Sequence, residues 1–200
     1  KFKGSSIDKS RELKKSYITK LLTFVDTNFI PKIKVLVNSG NGAAGPTFDQ
    51  LELALSKFTN RLTFEKVHHV PDSTFPNGIP NPLLIENHLE NRDLTIKAGA
   101  DIGIAFDGDF DRCFFFDEKG NFVPGQYIVG LLAESFLLKE PGARIIHDHR
   151  VILNIQHVVK KNEGIAISSK TGHAFIKQSM RENTALYGGE ISAHHYFRDF

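Results

Sequence analysis

Apolar positions along the first half of the chain switch period repeatedly. Leu13, Tyr17, Ile18, Leu21, Leu22 and Val25 recur at helical spacing, with Asp8 or Ser10 as the N-cap and Pro31 at the exit. Residues 33–37 form a β-branched run ending in glycines, after which Phe48, Leu51, Leu55 and Phe58 return to helical period. A second strand is predicted from about Leu62 to Val70, followed by a loop carrying Pro71, Pro76, Gly78, Pro80 and Pro82. Ile85, Leu89 and Ile96 predict a third helix running toward Gly99, and residues 101–106 a third strand.

Residues 113–116 read as another strand, and the turn signals at 117–121 and at Pro124-Gly125 divide the chain into units 1–121 and 122–200. The alternation then restarts with a helix over 127–138, a strand over 143–147, a helix over 151–161, a strand over 164–168 and a short helix over 175–181. Strands separated by helices need crossover connections. The expected class is therefore α/β, as two consecutive lobes with mostly parallel mixed sheets flanked by helices.

Composition narrows the function. A chain of 200 residues has room for one large domain or two small ones, and 40% apolar residues with 17 Phe exclude a disordered chain. The 25 basic and 23 acidic residues leave +2, with no run of five like charges, so no nucleic-acid partner is expected. The single Cys113 cannot form an internal disulfide, which fits a reducing compartment and makes the cytoplasm the default location. Residues 1–6 lead into charge instead of a signal-peptide core, and Glu134 and Ser135 interrupt the most apolar stretch, so no membrane segment is expected. Lys at position 1 and the unclosed aromatic segment at Phe200 suggest a piece of a longer protein.

Five segments carry candidate chemistry. Asp107, Asp109 and Asp111 stand at i, i+2 and i+4 just past a predicted strand, with Arg112 beside them. Three anionic oxygens from one loop suit a hard divalent ion, and magnesium in particular leaves positions open for phosphate. The bland alternative is a solvated acidic turn. An EF-hand is rejected, because Arg112 occupies the position that requires glycine and the flanks read as strands. Gly40, Gly42 and Gly45 form a G-x-G-x-x-G run, with Glu65 twenty residues on, but the strand continues past Glu65, so a tight structural turn is favoured over a dinucleotide site. His147 and His149 share one strand face and lack a third zinc ligand, so they read as surface or interface histidines.

At the other strand ends, Lys170, Thr171, Gly172 and His173 offer an anion-holding lysine and a proton-transferring histidine. Glu190, Ser192 and His194 alternate to one side if extended, with donors and acceptors suited to sugar hydroxyls.

Together Asn38 to Gly45 (NSGNGAAG), Pro80-Asn81-Pro82, Asp107 to Arg112 (DGDFDR), Ser169 to Ile176 (SKTGHAFI) and Gly188 to Phe200 (GGEISAHHYFRDF) resemble the α-D-phosphohexomutase family, in particular its bacterial phosphomannomutase branch. The resemblance covers nearly the whole chain and corresponds to the second domain and most of the third of a four-domain enzyme. It implies that Asp107, Asp109 and Asp111 hold Mg²⁺ and that Arg112 stabilises the moving phosphoryl group. Glu190, Ser192 and His194, with Lys170, Thr171 and Gly172, would contact the sugar phosphate, while His173 and Arg150 serve proton transfer and charge stabilisation. Arginine stays protonated, so Arg150 takes the electrostatic part.

The implied reaction interconverts mannose 6-phosphate and mannose 1-phosphate through a phosphoserine and a bisphosphorylated sugar. The family's phosphoserine loop (T-A-S-H-N-P) and its C-terminal phosphate-binding domain do not occur in these 200 residues, so the chain alone is expected to be inactive. His149 stands where proline is common, and Ile191 replaces a frequent methionine. Glucose specificity and a non-catalytic module binding Mg²⁺ or sugar phosphate are the alternatives.

Overall fold

Each lobe opens with a helix, alternates strand and helix, and closes on an antiparallel return. In the computed structural model, which describes residues 4–151 and 153–200, the first lobe comprises α1 (Ser10–Leu22), β1 (Ile33–Asn38), α2 (Ala44–Leu55), β2 (Leu62–Val67), α3 (Ile85–Ala98), β3 (Ile102–Phe106), β4 (Cys113–Phe116) and β5 (Phe122–Val123). The second comprises α4 (Gly125–Leu137), β6 (Arg144–Asp148), α5 (Leu153–Lys161), β7 (Ile165–Ser169), α6 (His173–Glu182), β8 (Tyr187–Gly189) and β9 (His195–Phe197). The sheet orders are β2-β1-β3-β4-β5 and β7-β6-β8-β9. In each, the first three strands are parallel and the remainder antiparallel, giving four parallel pairings out of seven. The two mixed α/β lobes expected from the periodicity are present. The division expected after residue 121 falls within the β4–β5 return.

Central strands are apolar on both faces because helices cover both. Val35 and Val37 of β1 pack with Phe48 of α2, while Leu36 faces Ala98 and Ala100 on the opposite side. In the second lobe, Ile145 and Tyr187 lie under Val129, Ala133 and Leu137 of α4 and Ile155 and Val159 of α5. Ile146 joins Ile176 and Met180 of α6 on the other face. Each buried Val, Leu, Ile, Met or Phe among these contributes about 1.5–3 kcal/mol relative to exposure, and the clusters give each lobe its own core.

Several local expectations need correction. Lys9 occupies the N-cap of α1, and Asp8 instead accepts the Ser10 N–H at 2.8 Å. Of the apolar residues read onto this helix face, Ile18 is buried, whereas Leu13, Tyr17 and Val25 are exposed. Strand β2 stops at Val67 because His68 turns to a φ of 45°.

The largest error concerns α3. Ile85, Leu89 and Ile96 all point outward, and the buried face is Asn91, Thr95 and Ala98. Small and polar side chains win here because the helix lies close against β3. A Cβ at Gly103 would collide with Thr95 Oγ1, and Asn38 Nδ2 donates to Asn91 Oδ1 at 2.9 Å inside the interface. The helix expected over 151–161 starts at Leu153, after a buried bend at Val151. Ile152 and Lys1 to Lys3 lie outside the described residues.

Candidate active site

The acidic loop is the connection from β3 to β4. Asp107, the first residue past β3, is buried, and its two oxygens accept from Arg112, from the backbone N–H at 3.1 Å and from Nε at 2.5 Å. Arg112 Nε also lies 3.5 Å from Asp111 Oδ1. Asp107, Asp109 and Asp111 each present an oxygen within 4.8 Å of the others. Three carboxylates this close repel one another unless a cation compensates them, and an all-oxygen donor set can hold a hard metal ion. Both flanks are strands, which agrees with the rejection of an EF-hand.

The glycine run lies against this loop. A Cβ on Gly42 would fall 2.6 Å from Gly108 O, and the Ala43 N–H donates to that same oxygen at 3.0 Å. Glu65 pairs with Lys34 at 3.0 Å in mid-strand, away from the strand end where a ribose would sit. The run is thus a structural turn that braces the acidic loop. Behind it, Ser39 Oγ lies 3.2 Å from His69 Nδ1, and His69 Nε2 lies 2.9 Å from Asp49. The alignment mimics a nucleophilic triad, yet Ser39 is wholly buried and cannot meet a substrate. Desolvation, reinforced by the charge of Asp107, pushes the Cys113 thiol up to about 12, so no thiolate is available either.

In the second lobe, Asp148 at the end of β6 organises its neighbours. It is fully buried, and accepts the Arg150 N–H at 2.7 Å, Arg150 Nη2 at 2.8 Å and the Ile191 N–H at 3.1 Å. Burial raises its pKa, but these bonds outweigh burial and hold the carboxyl below its ordinary range. His147 is buried, neither the surface nor the interface residue that its sequence position suggested, with Nδ1 2.8 Å from the Asp148 carbonyl and Nε2 unpartnered. His149 is exposed and lies 3.4 Å from Thr171 Oγ1.

The loop after β7 carries Lys170, whose Nζ sits 5.6 Å from the Phe175 ring centroid, and ends at Gly172, whose φ of 117° turns the chain into α6 at His173. The Gly172 N–H donates to Glu190 Oε1 at 2.7 Å.

Glu190, Ser192 and His194 are not on an extended segment. They form the tip of the β8–β9 hairpin, where Ala193 adopts a φ of 65°, its N–H donates to the Glu190 carbonyl at 3.1 Å, and the Glu190 N–H donates to the His194 carbonyl at 3.0 Å. The turn still gathers the three side chains: His194 Nδ1 is 2.8 Å from Ser192 Oγ and 3.4 Å from Glu190 Oε2. His194 Nε2 then reaches 3.3 Å from Asp111 Oδ2 of the acidic loop. The resulting cleft, about 1170 Å³, is lined by Asp111, Arg150, His173, Glu190, Ser192 and His194, together with Thr171 and Gly172. Asp107, Asp109, Arg112 and Lys170 lie outside its wall. Asp148 and Tyr196 are the organising residues that sequence reasoning missed. A buried acid two residues before an arginine was a usable signal for the first, whereas nothing in the strand pattern marked the second.

The chain is thus a two-lobed α/β protein that sets a three-carboxylate loop, able to hold a metal ion, against a polar hairpin. Residues 15–120 match the model of phosphoglucomutase/phosphomannomutase alpha/beta/alpha domain II, and residues 124–200 match that of domain III. The chain belongs to the phosphoglucomutase/phosphomannomutase family. It is 58% identical over 188 residues to a phosphomannomutase of Salmonella montevideo, a match covering 94% of this chain and 41% of that protein. The chain therefore spans well under half the length of such relatives.

A crystal structure of a phosphoglucomutase/phosphomannomutase family protein from Burkholderia thailandensis superimposes with a TM-score of 0.82 at 31% identity, covering 94% of this chain and 39% of that one. An Aspergillus fumigatus N-acetylphosphoglucosamine mutase, solved with GlcNAc-6P and magnesium, shares the fold at a TM-score of 0.63 and 19% identity, over 91% of this chain and 40% of that one.

Proposed function

We propose that this chain is the metal- and sugar-handling part of a phosphomannomutase, which interconverts mannose 6-phosphate and mannose 1-phosphate through a phosphoserine and a bisphosphorylated sugar. The observation that carries this reading is the approach of His194, on the hairpin suited to sugar hydroxyls, to Asp111, on the carboxylate loop. Support for mannose comes from the names of relatives at 55–58% identity. The phosphoserine and the second phosphate-binding domain belong, in this reading, to polypeptide outside these 200 residues.

Phosphoryl transfer needs charge clamping and positioning more than covalent help from the protein. Asp107, Asp109 and Asp111 would hold Mg²⁺, which supplies charge neutralisation at a phosphoryl oxygen when bound. Arg112, anchored through Nε on Asp107, keeps its terminal nitrogens for phosphate oxygens. Arg150, fixed by buried Asp148, presents a permanent positive charge to the cleft. Glu190 accepts sugar hydroxyls, Ser192 and His194 complete the polar set, and His173 faces the same space as a group able to carry a proton. Lys170, Thr171 and Gly172 hold the loop that leads into His173.

A calorimetric Mg²⁺ titration with mannose 1,6-bisphosphate present tests the reading. Asp109→Ala should weaken Mg²⁺ binding at least tenfold relative to the parent chain, and equal affinities would remove the metal assignment. The chain alone should not turn over mannose 1-phosphate, since it lacks the nucleophile; measurable turnover would remove the phosphoserine assignment.

A further inference from the structure

Tyr196 lies within the segment from Gly188 to Phe200, where spacing assigns it no role, yet it touches the most buried charged group of the hairpin. Its ring packs on the cluster of Ile146, Ile176, Met180 and Ala185, which needs only a hydrocarbon surface. Its hydroxyl does something the packing does not require: it donates to Glu190 Oε2 at 2.7 Å. Glu190 is 2% exposed, so its torsions are set by its hydrogen-bond partners. On the other oxygen the partner is the Gly172 N–H at 2.7 Å. The remaining neighbour of Oε2, His194 Nδ1 at 3.4 Å, is already 2.8 Å from Ser192 Oγ, while the far nitrogen of that ring faces Asp111. One donor on each oxygen fixes the carboxylate plane, and Tyr196 is the donor on Oε2. Lys177 Nζ, one helical turn past His173, stands 6.0 Å from the centroid of the tyrosine ring on its cleft side.

We propose that Tyr196 is a positioning residue for the sugar-binding carboxylate: its hydroxyl, with the Gly172 N–H, locks Glu190 in the orientation that leaves its free lone pairs for hydroxyl donors of a hexose phosphate. The proposal rests on the reading of Glu190 given above. Burial and the adjacent Glu190 charge raise the phenol pKa far above neutrality, so the hydroxyl remains a donor at every working pH. A hydrogen bond to a charged group is worth enough to matter, about tenfold or more in an equilibrium constant.

The test compares the 200-residue chain with Tyr196→Phe, which removes one oxygen and keeps the packed ring. Three quantities are read: the affinity for mannose 1,6-bisphosphate with saturating Mg²⁺, the affinity for Mg²⁺ alone, and the Gly172 amide proton shift by NMR. The expected result is a tenfold or greater loss of sugar-bisphosphate affinity, Mg²⁺ affinity within twofold of the parent, and a displaced Gly172 amide signal in a folded chain. Parent-like sugar affinity in Tyr196→Phe would overturn the proposal, as would loss of folding, which would make the hydroxyl structural. If the parent chain itself fails to bind the bisphosphate, the functional reading fails in this chain. The Gly172 signal then decides the positioning claim alone: displaced, it supports the lock on Glu190, and unmoved, it overturns it.

Discussion

His194 Nε2 lies 3.3 Å from Asp111 Oδ2, and with that contact the hairpin of the second lobe touches the acidic loop of the first. Both side chains are partly solvated, at 29% and 55% exposure, so the pair itself contributes at most about 1 kcal/mol. The relationship is set elsewhere. Tyr17 of α1 meets Phe200 edge-on at 5.7 Å, and Phe24, just past α1, lies 6.4 Å from Phe197 of β9. Packing at the lobe junction places the two loops, and the ion pair reports that placement.

Gly42→Ala should damage the acidic loop without altering any carboxylate. The new Cβ would press on Gly108 backbone, which has no flexible end to swing away. A destabilisation of about 1–3 kcal/mol is expected, typical of overpacking. Calorimetry should show weaker Mg²⁺ binding than in the parent, because Gly108 sits between Asp107 and Asp109. Unchanged affinity would mean that the glycine run does not brace the loop.

Asn91→Ala should cost about 1–3 kcal/mol by leaving Asn38 Nδ2 without its partner in a dry interface. Denaturant melts at neutral pH measure this directly. Ile96→Ala, on the same helix but facing out, should shift stability by less than about 0.5 kcal/mol. An inverted order would contradict the face assigned to α3.

His195 should make the chain acid-sensitive well above the carboxylate range. Burial, helped by the charge of neighbouring His194, lowers its pKa from 6.5 to about 4, so the folded state keeps the ring neutral while the unfolded chain protonates it. Its contribution is fully present above pH 6.5 and is lost as pH falls toward about 4, up to about 3 kcal/mol in all. The ring accepts or donates at Nδ1 to Tyr187 Oη, 2.7 Å away. His195→Gln should flatten the stability profile between pH 6.5 and 4 relative to the parent; parallel profiles would exclude His195 as the source.

What could be read from the sequence depended on whether local chemistry or tertiary packing decided the outcome. The strand runs around Val35 to Val37 and Ile145 to Ile146 are legible because central parallel strands must be apolar on both faces. The acidic loop is legible because its three carboxylates come from one turn and need no partner segment. The face of α3 was not legible, since Thr95 is buried only because residue 103 is glycine on a different element. Nor was the hairpin at Glu190: an apparent alternation conceals a turn at Ala193, an ordinary residue in a left-handed conformation. Tyr196 matters through its contact with Glu190, six residues away across the hairpin turn, whereas the spacing of Asp148 to Arg150 did carry a signal.

Asp107 and Glu190 occupy the same station in their respective lobes: each is the first residue beyond the last parallel strand, buried, and followed by a tight return. Two matching foundations thus carry two different sets of side chains, one of carboxylates and the other of mixed donors and acceptors. Because neither foundation shares a core with the other, a substitution in one lobe's core leaves the other lobe's loop on its own support.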